Sequence, residues 1–597
     1  MLTVPRGYAA AHSHTTDPEK THSKGEQKKK IAIVGSGCAG LGAAWGLKGT
    51  EYEIHLFEAE DRLGGHTNTQ PFDTPYGPLQ VDTGFIVMNT ATYPNFINFL
   101  NHLRVPVTPT EMTFAVSRDS GKFEWSGEGK GLFAQRRNLF RLRHWRLIFD
   151  VIRFNQYALD LLFLDDEEAK SITIGTYLQR EGYSEAFRDD YLIPMTAAVW
   201  STSPNKASLE FPAQTLVRFM WNHHLLSTIS ARPDWLTIPG GSQQYISAIL
   251  ADLGPQLHIH KSCRVTGMVR PPPDTTDSVA MAWTNAEGKR TADFFHHVVL
   301  ACHGDQILPI IADDSQLDQH YHLRQRKGSD ASLHSISSTK SAKSNGSTKA
   351  AIPKGSATAH ELEILSAFRT TSNTCYLHSD PALLPSRPQT WSSWNYMINS
   401  RPPPRSGASN GTPNGLTKQD LPDSPAGVSL TYDMNILQHI PRARYGHVLV
   451  TMNPLHPPRQ SLVQKQIQYR HPLYTVEAVR AQAQLESIQN TRGVSYAGAW
   501  TKYGFHEDGF SSGLRVAKEH LGAELGFGFV DSTFSRGERP VLGLKDWLVR
   551  VAILLVSIVI WWGELVWRIP LVWIPLRIAL WVLDRALGFM EEVGMID

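Results

Sequence analysis

The stretch Ile31-Ala-Ile-Val-Gly-Ser-Gly-Cys-Ala-Gly40 joins a short apolar strand to a glycine-rich turn and the start of a helix. Its spacing, Gly35-x-Gly37-x-x-Gly40, is typical of a dinucleotide-binding turn. The first glycine allows the tight bend, the second lets the backbone approach a pyrophosphate, and the third lets helix and strand pack closely. The N–H groups at the start of the helix can then bind phosphate oxygens. The stretch therefore predicts a Rossmann-like dinucleotide site.

Two later segments extend this unit into an α/β sheet. Glu53-Ile-His-Leu-Phe-Glu58 is predicted to be the second strand, and Glu58 stands where a carboxylate accepts a hydrogen bond from an adenosine ribose hydroxyl. His297-Val-Val-Leu-Ala-Cys302 is predicted to be a further buried strand of the same sheet. A strand–helix–strand start with distant returning strands indicates an α/β core through which a second domain is threaded.

The residues after the second strand indicate which dinucleotide is bound. The pattern Glu58-x-x-x-Arg62-x-Gly64-Gly65-His66 resembles the extended fingerprint of the flavin-containing amine oxidase and phytoene desaturase superfamily. The resemblance implies FAD as the cofactor and a discontinuous Rossmann-like FAD-binding domain with an inserted α+β substrate domain. It also implies a first set of cofactor contacts: Gly35, Gly37, Ala39, Gly40, Glu58, Ala59, Arg62, Gly64, Gly65, His66 and Thr67.

Further motifs follow in the order of the superfamily. Ile238-Pro-Gly-Gly-Ser242 resembles a shortened Pro-x-Gly-Gly turn, and Arg264-Val265 resembles the strand that meets the adenine. Tyr496-Ala-Gly-Ala-Trp500 and Gly509–Ala517 resemble the C-terminal flavin motif, so a helix starting at Gly509 is expected to direct N–H groups at the flavin ring. The resemblance adds these cofactor contacts: Val265, Gly498, Ala499, Asp508, Gly509, Phe510 and Ser511.

One departure separates this chain from many members of the superfamily. Ala499 and Trp500 stand where those members place an acid. Together with Trp394-Asn-Tyr396, Thr431–Gln438 and Arg470-His-Pro472, this pattern resembles a subgroup of predicted FAD-binding oxidoreductases that are often encoded beside cyclopropane fatty-acid synthases. The resemblance covers most of residues 30–527 and carries little information about the reaction.

Three residues beside the C-terminal motif are the candidates for catalysis. His506 is predicted to act as a general acid/base, because an imidazole titrates near neutral pH, and Glu507 is predicted to orient it. Tyr503 is a candidate aromatic residue for the flavin face. An alternative is that residues 506–508 bond the ribityl chain or cap the next helix. Lys502 could hold a water near the flavin, or it could be an ordinary lysine beside a helix.

Composition excludes several other classes of site. The net charge of +2 over 597 residues gives no global field for binding nucleic acid. The four cysteines form no CxxC pair and no Cys/His cluster at metal-ligand spacing, so we predict no metal site. Their small number fits a reducing compartment.

Changes in composition along the chain predict its organisation. Polar Ser-, Lys- and Pro-rich stretches cannot bury enough apolar surface to order themselves. The predicted units are a disordered leader (1–29), an FAD-binding domain (30–110, 232–314 and 487–530), a substrate domain (111–231 and 354–486), a disordered insert (315–353), a disordered loop (401–426) and a membrane-associated tail (540–597).

The tail and one basic stretch indicate a membrane. Val551–Trp567 is a strongly apolar run, slightly short of the ~20 residues that span a bilayer. Residues 136–153 interleave arginines with aromatic and aliphatic residues, a pattern that suits anionic headgroups or a solvated helix face. We expect membrane association with the catalytic domain facing the cytosol. Whether the tail spans the membrane, forms a hairpin or lies flat is left open, as is a buried helix pair.

The leading functional hypothesis is a membrane-associated FAD-dependent oxidoreductase that abstracts hydride from a lipid-like or other apolar substrate. The alternatives are a redox-neutral flavin isomerase of unsaturated acyl chains, an amine oxidase, and a non-enzymatic flavin-binding membrane scaffold. The sequence predicts no nucleic-acid partner and gives no oligomeric state.

Overall fold

A computed structural model describes most of the chain outside its predicted polar segments. The described residues are 28–165, 171–200, 209–226, 233–270, 278–312, 357–399, 427–567 and the pairs 578–579, 581–582 and 585–586. The predicted insert (315–353) and loop (401–426), and the leader up to residue 27, lie outside them.

A parallel five-stranded sheet forms the centre of the N-terminal fold. β1 (Lys30–Val34) pairs with β2 (Glu53–Phe57) on one side and with β14 (His297–Leu300) on the other. β10 (Leu257–His260) and β20 (Val494–Tyr496) complete the strand order β10-β2-β1-β14-β20. The three predicted strands are therefore strands of one sheet, as expected. Every residue of β14 is buried, because layers of the fold cover both faces of a parallel sheet.

A mixed seven-stranded sheet forms the second large layer. Its strands come from two distant stretches of the chain, 114–126 and 369–473, and their order is β19-β15-β18-β17-β16-β7-β8. Neighbouring strands are antiparallel except for β16 and β7, which run parallel. The remaining sheets are β11-β12-β13, β3-β4 and β5-β9-β6. The strands not bounded above are β3 (Thr69–Phe72), β4 (Leu79–Asp82), β5 (Met88–Asn89), β6 (Thr108–Thr110), β7 (Phe114–Arg118), β8 (Phe123–Ser126), β9 (Trp235–Thr237), β11 (Arg264–Val269), β12 (Val279–Thr284), β13 (Arg290–Phe295), β15 (Arg369–His378), β16 (Trp394–Asn399), β17 (Gly427–Asp433), β18 (Leu449–Met452) and β19 (Val463–Leu473).

Helices cover these sheets and connect them. They are α1 (Cys38–Gly46), α2 (Pro94–His102), α3 (Leu142–Tyr157), α4 (Ile174–Arg180), α5 (Glu185–Phe187), α6 (Ile193–Trp200), α7 (Ala213–Asn222), α8 (Gln243–Leu253), α9 (Gly304–Ala312), α10 (Ala359–Ser366), α11 (Met434–Leu437), α12 (Arg442–Tyr445), α13 (Val476–Gln484), α14 (His506–Arg515) and α15 (Leu544–Trp567). Helix α8 begins at Gln243, directly after the glycine turn Ile238–Ser242.

Helices α1 and α14 pack against each other through glycines, although their first residues, Cys38 and His506, are 468 positions apart in the chain. A Cβ at Gly42 would lie 2.7 Å from the carbonyl oxygen of Phe510, and one at Gly509 would lie 2.5 Å from Cys38 Sγ. A Cβ at Gly513 would overlap the carbonyl oxygen of Ala39. The absence of side chains at these positions lets the two helix backbones approach closely, which joins the two ends of the fold.

The C-terminal helix α15 lies on α3 and is fixed there by one arginine. Arg550 is buried and donates to the carbonyl oxygen of Gln156 at 2.6 Å and to Asp160 at 2.8 Å. Its guanidinium also lies over the ring of Tyr157, 5.0 Å from the centroid. Within the described ranges, no helix combines the length and the hydropathy needed to cross a bilayer.

Candidate FAD site

A cavity of about 1050 Å³ runs from the glycine-rich turn to the seven-stranded sheet. We call it the central cavity. Its walls combine the turn after β1, the end of β2, the start of β11, the residues after β14, and side chains from β7, β16, β17 and α7. The predicted contacts that line it are Gly35, Gly37, Ala39, Glu58, Ala59, Gly64, Gly65, His66, Thr67, Val265, Gly498 and Ala499.

The turn between β1 and α1 leaves a backbone cradle for a phosphate group. Gly35 has a φ of +100°, and a Cβ there would lie 2.9 Å from the carbonyl oxygen of Ala301. Gly37 is the N-cap of α1, with no side chain capping the helix and no acid in its first turn. A Cβ on Gly37 would meet nothing within 4 Å, so its backbone faces open cavity. A helix start of this kind fits the pyrophosphate of FAD. Gly40 does not line the cavity; its missing Cβ leaves room for the carbonyl oxygen of Gly35.

Glu58 is held in place at the carboxyl end of β2. Its carboxylate accepts from Ser36 N at 2.9 Å, from Ser36 Oγ at 2.6 Å and from Glu60 N at 2.9 Å. The carbonyl oxygen of Glu58 accepts from Cys263 N at 2.8 Å, which brings the start of β11 beside it. Glu58 is half-buried and retains lone pairs for a ribose hydroxyl, while Val265 lines the same end of the cavity. This end therefore fits an adenosine.

The second glycine pair brings two turns together. Gly64 and Gly65 have φ of +111° and +55°, and a Cβ at Gly65 would lie 3.2 Å from the Cα of Gly37. Arg62 is not among the residues that line the central cavity. It bonds the carbonyl oxygen of Thr67 at 3.5 Å and forms an ion pair with Glu60 at 3.1 Å. In this structure Arg62 braces the turn.

Three histidines meet beside this turn. The ring centroid of His66 lies 5.6 Å from that of His303 and 4.9 Å from that of His471. Burial lowers the pKa of all three, that of His471 to about 4, so all three imidazoles are neutral at pH 7. His471 bonds Asn373 at 2.7 Å. Sequence reasoning missed His303, although it directly follows the predicted strand ending at Cys302.

Helix α14 differs from the expectation for the C-terminal motif. It begins at His506 rather than Gly509, and its first turn lines the cavity through Phe505 and His506. Asp508, predicted to bind the cofactor, instead caps the helix by accepting from Phe505 N at 3.0 Å. The predicted contacts Gly509, Phe510 and Ser511 lie outside the cavity lining, since α14 turns this side towards α1 and α2.

The predicted contact between His506 and Glu507 is not present in the structure. His506 bonds Tyr245 Oη at 3.1 Å and stacks on Phe85 with centroids 3.8 Å apart. Burial lowers the pKa of His506 to about 3, whereas a general acid/base needs a pKa near the working pH. Glu507 does not contact His506: its carboxylate accepts from Asn95 N at 3.0 Å and Phe96 N at 2.9 Å, at the start of α2.

The other aromatic and basic candidates also have structural partners. Tyr503 is not among the cavity-lining residues and packs near Phe219, with centroids 5.9 Å apart. Lys502 Nζ forms an ion pair with Asp531 at 2.7 Å, so the ordinary-lysine reading applies. Trp500 lines the cavity, and its Nε1 donates to the carbonyl oxygen of Cys302 at 3.1 Å.

His506→Gln is expected to make the protein less sensitive to acid. The pKa of His506 is depressed in the folded chain and near 6.5 in the unfolded chain, so the unfolded chain takes up a proton first as the pH falls. Its contribution to stability is complete above pH 6.5 and is lost as the pH falls towards 3, by at most about 1.4 kcal/mol per pH unit. Melting temperatures measured from pH 7.5 to 4.5 should decline less steeply for His506→Gln. His456→Gln, at an exposed histidine, is the control and should follow the wild-type slope. Equal slopes for all three proteins would contradict the assignment.

The far part of the central cavity is aromatic. Its lining side chains include Phe114, Trp125, Tyr191, Met195, Phe219, Trp394 and Tyr432. Trp394 and Tyr432 meet edge to face, with centroids 5.3 Å apart. Of the acids that line the cavity, Glu58 and Glu60 follow β2, Asp305 pairs with Arg470, and Glu128 is exposed. Tyr396, two residues after Trp394 on β16, is buried but does not line the cavity.

Comparisons with known proteins agree with the reading of the fold and cofactor. Residues 33–103 match the NAD(P)-binding Rossmann-like domain family. The chain is 25% identical over 245 residues to a protein named as a flavin-containing monoamine oxidase, AofH, of Mycobacterium tuberculosis, covering 39% of this chain and 50% of the relative. It is 27% identical over 231 residues to an L-amino acid dehydrogenase of Synechocystis, covering 37% of this chain and 47% of the relative. The chain therefore spans about half of the length of these relatives.

A solved structure extends the likeness to nearly the whole fold. Putrescine oxidase bound to putrescine superposes with a TM-score of 0.50 and 12% sequence identity, covering 83% of this chain and 99% of that chain. The chain thus has the Rossmann-like FAD-binding fold of amine oxidase type. The comparisons confirm the predicted resemblance to the flavin-containing amine oxidases and FAD as the cofactor. The narrower subgroup stays a prediction.

Proposed function

We propose that this protein is a flavin-dependent oxidoreductase that takes a hydride from an apolar or lipid-like substrate at a membrane surface. The observation that carries the proposal is the continuity of the central cavity, which joins the cofactor cradle at Gly37 to the aromatic wall around Trp394. A substrate that fills the aromatic part can reach the flavin end without leaving the protein.

In this proposal FAD carries out the redox step, and the protein binds and positions FAD and the substrate. FAD, when bound, supplies the acceptor for the hydride. The chain binds the pyrophosphate at the N-terminus of α1 and surrounds the substrate with side chains such as Trp125, Phe219 and Trp394, which exclude water and hold an apolar chain.

The cavity chemistry favours an apolar substrate over an amine. An ammonium group needs a carboxylate or a cage of aromatic faces near the flavin. The aromatic faces are present, but the lining acids of the described residues follow β2, pair with Arg470 or are exposed. Amine oxidation, suggested by the names of the relatives, remains the second candidate because the aromatic wall could also hold a cation.

Anaerobic flavin bleaching separates these candidates. The FAD-loaded protein is mixed without oxygen with unsaturated phospholipid micelles, with putrescine or with an L-amino acid, and oxidised flavin absorbance is followed. We expect bleaching with lipid and none with the amines. Bleaching by an amine alone would overturn the substrate class. Shifted double bonds in the recovered lipid without net bleaching would indicate the isomerase instead, and no response together with unchanged lipid would favour the scaffold.

Membrane association is proposed from the outer face of α15. The helix turns Arg550 and Ile553 towards the body of the protein, while Leu548, Leu555 and Val559 are 61%, 60% and 70% exposed. An apolar helix face of this size is costly in water and suits the acyl–headgroup boundary, where an amphipathic helix lies flat. The cytosolic orientation of the catalytic domain stays a prediction.

Leu555→Asp with Val559→Asp is expected to release the protein from vesicles. Two carboxylates on the outer face of α15 oppose insertion into the headgroup region, while the contacts of Arg550 on the inner face stay intact. Flotation with phosphatidylcholine–phosphatidylserine vesicles should show at least a fivefold loss of bound protein (~1 kcal/mol) with unchanged FAD content. Tyr76→Asp, an exposed aromatic residue in the β3–β4 turn, is the control. Equal flotation of the wild type and all variants would contradict membrane association through the outer face of α15.

A further inference from the structure

A second constellation of ionisable side chains lies at the edge of the parallel sheet, outside the central cavity. Glu53 and His55 belong to β2, and His258 and His260 belong to β10, which pairs with it. The register places His258 directly opposite His55. Because alternate residues of a strand share a face, all four side chains project from the same face of the sheet.

Three of these residues bring their ligand atoms together. Glu53 Oε1 lies 2.7 Å from His55 Nε2 and 3.7 Å from His258 Nε2, and the three atoms all lie within 4.8 Å of one another. A tetrahedral zinc ion with bonds of about 2.0–2.2 Å holds its ligand atoms about 3.3–3.6 Å apart. The two distances from Glu53 Oε1, 2.7 and 3.7 Å, bracket that range, so small side-chain rotations suffice to place a metal between the three atoms.

The fourth residue has the position of an outer-shell partner. His260 Nε2 lies 3.0 Å from His55 Nδ1, the ring nitrogen that faces away from Glu53. Metal-bound histidines usually donate their other N–H to such a group, which fixes the tautomer. With a metal on Nε2, His55 would carry its proton on Nδ1 and donate it to His260, whose own proton would sit on Nδ1. Both imidazole rings would then be neutral, and neither would have to be deprotonated to an imidazolate.

The surroundings of the three ligand atoms allow a cation to enter. The nearby ammonium of Lys30 is neutralised by an ion pair with Asp293 at 2.8 Å. His258 is 46% exposed, which gives the ion a path from solvent and leaves room for a water ligand.

We propose that Glu53, His55 and His258 form a zinc site with His260 as its outer-shell partner. Sequence spacing could not indicate it, because His258 lies 203 residues after His55. The site would join β2 to β10 just before Glu58, whose N–H donates to the carbonyl oxygen of His260 at 2.8 Å. Zinc would thereby stabilise the strand ends that carry the adenosine-binding carboxylate.

The test uses the full-length, FAD-loaded, chelator-treated protein titrated with ZnCl₂ in a calorimeter, with melting temperature as a second readout. We expect a site that is weakened at least about tenfold in His258→Gln, and a zinc-induced rise in melting temperature that this variant loses. His258→Gln changes an exposed side chain and should fold. His456→Gln, which removes an exposed histidine outside this cluster, is the control and should keep the wild-type zinc affinity.

Two outcomes would overturn the proposal. One is the same zinc affinity in wild type, His258→Gln and His456→Gln. The other is a wild-type melting temperature that zinc does not raise. In either case the cluster would be only the hydrogen-bonded chain Glu53–His55–His260. Neither outcome bears on the flavin chemistry, since none of the four residues lines the central cavity.

Discussion

Gly37→Val is expected to yield a folded protein that contains no FAD. The substituted Cβ meets no protein atom within 4 Å, so the chain itself has room for it. The space that it fills belongs to the central cavity, at the N-cap of α1, where the free backbone N–H groups would bind the pyrophosphate of FAD. The branched side chain would keep the phosphates from those donors. We expect at least a hundredfold weaker binding of FAD, equivalent to about 2.7 kcal/mol.

The measurement is the molar ratio of flavin to protein after reconstitution and gel filtration, with circular dichroism to verify the fold. Gly528→Val is the matched control, because Gly528 also has an ordinary φ and open space around its missing Cβ. That control should retain full flavin content. A Gly37→Val protein with bound flavin would show that the cofactor does not use this turn, whereas an unfolded one would mean that the turn serves folding first.

Local sequence predicted the cofactor cradle well, because its chemistry lies in short stretches. The backbone geometry at Gly35, Gly37 and Gly40 is compatible with the roles that the spacing predicts, and Glu58 directly follows β2. Backbone conformation decides these roles, and it is set by residues only a few positions apart. The same holds for Gly64 and Gly65, whose positive φ values agree with the glycine pair of the fingerprint.

The parts of the site that depend on long-range packing could not be predicted. His303 and His471 meet His66 only because β14 and β19 end beside the same turn. His506 and Glu507 are neighbours in sequence, yet successive residues of a helix point in different directions, so one faces Tyr245 and the other faces α2. A histidine followed by a glutamate therefore did not form a catalytic pair.

The glycines of the C-terminal motif can have two structural roles that their spacing alone does not distinguish. A glycine can let a backbone approach a ligand, or it can let it approach another helix. The resemblance suggested the first for Gly509–Gly513. The structure shows the second, since Gly509 faces Cys38 and Gly513 faces Ala39 on α1. Because the N-terminus of α1 also forms the predicted phosphate cradle, the last motif of the fold would support the cofactor indirectly, by fixing the position of α1.

Gly513→Ala is therefore expected to damage both stability and cofactor binding, although alanine is the better helix former by about 1 kcal/mol. Its Cβ would overlap the carbonyl oxygen of Ala39 and lie 2.6 Å from Ala43 N, and both are backbone atoms of a helix that cannot move aside. Overpacking usually costs about 1–3 kcal/mol, and we expect the upper end of that range or more here. Relief of this overlap requires α1 and α14 to separate, which displaces Gly37.

Melting temperature and flavin content of Gly513→Ala should therefore fall together. The control is Gly563→Ala, at a helical glycine of α15 with open space around it, which should lower neither quantity. A Gly513→Ala protein with wild-type melting temperature and full flavin content would mean that the two helices tolerate separation, and the coupling between the ends of the fold would have to be abandoned.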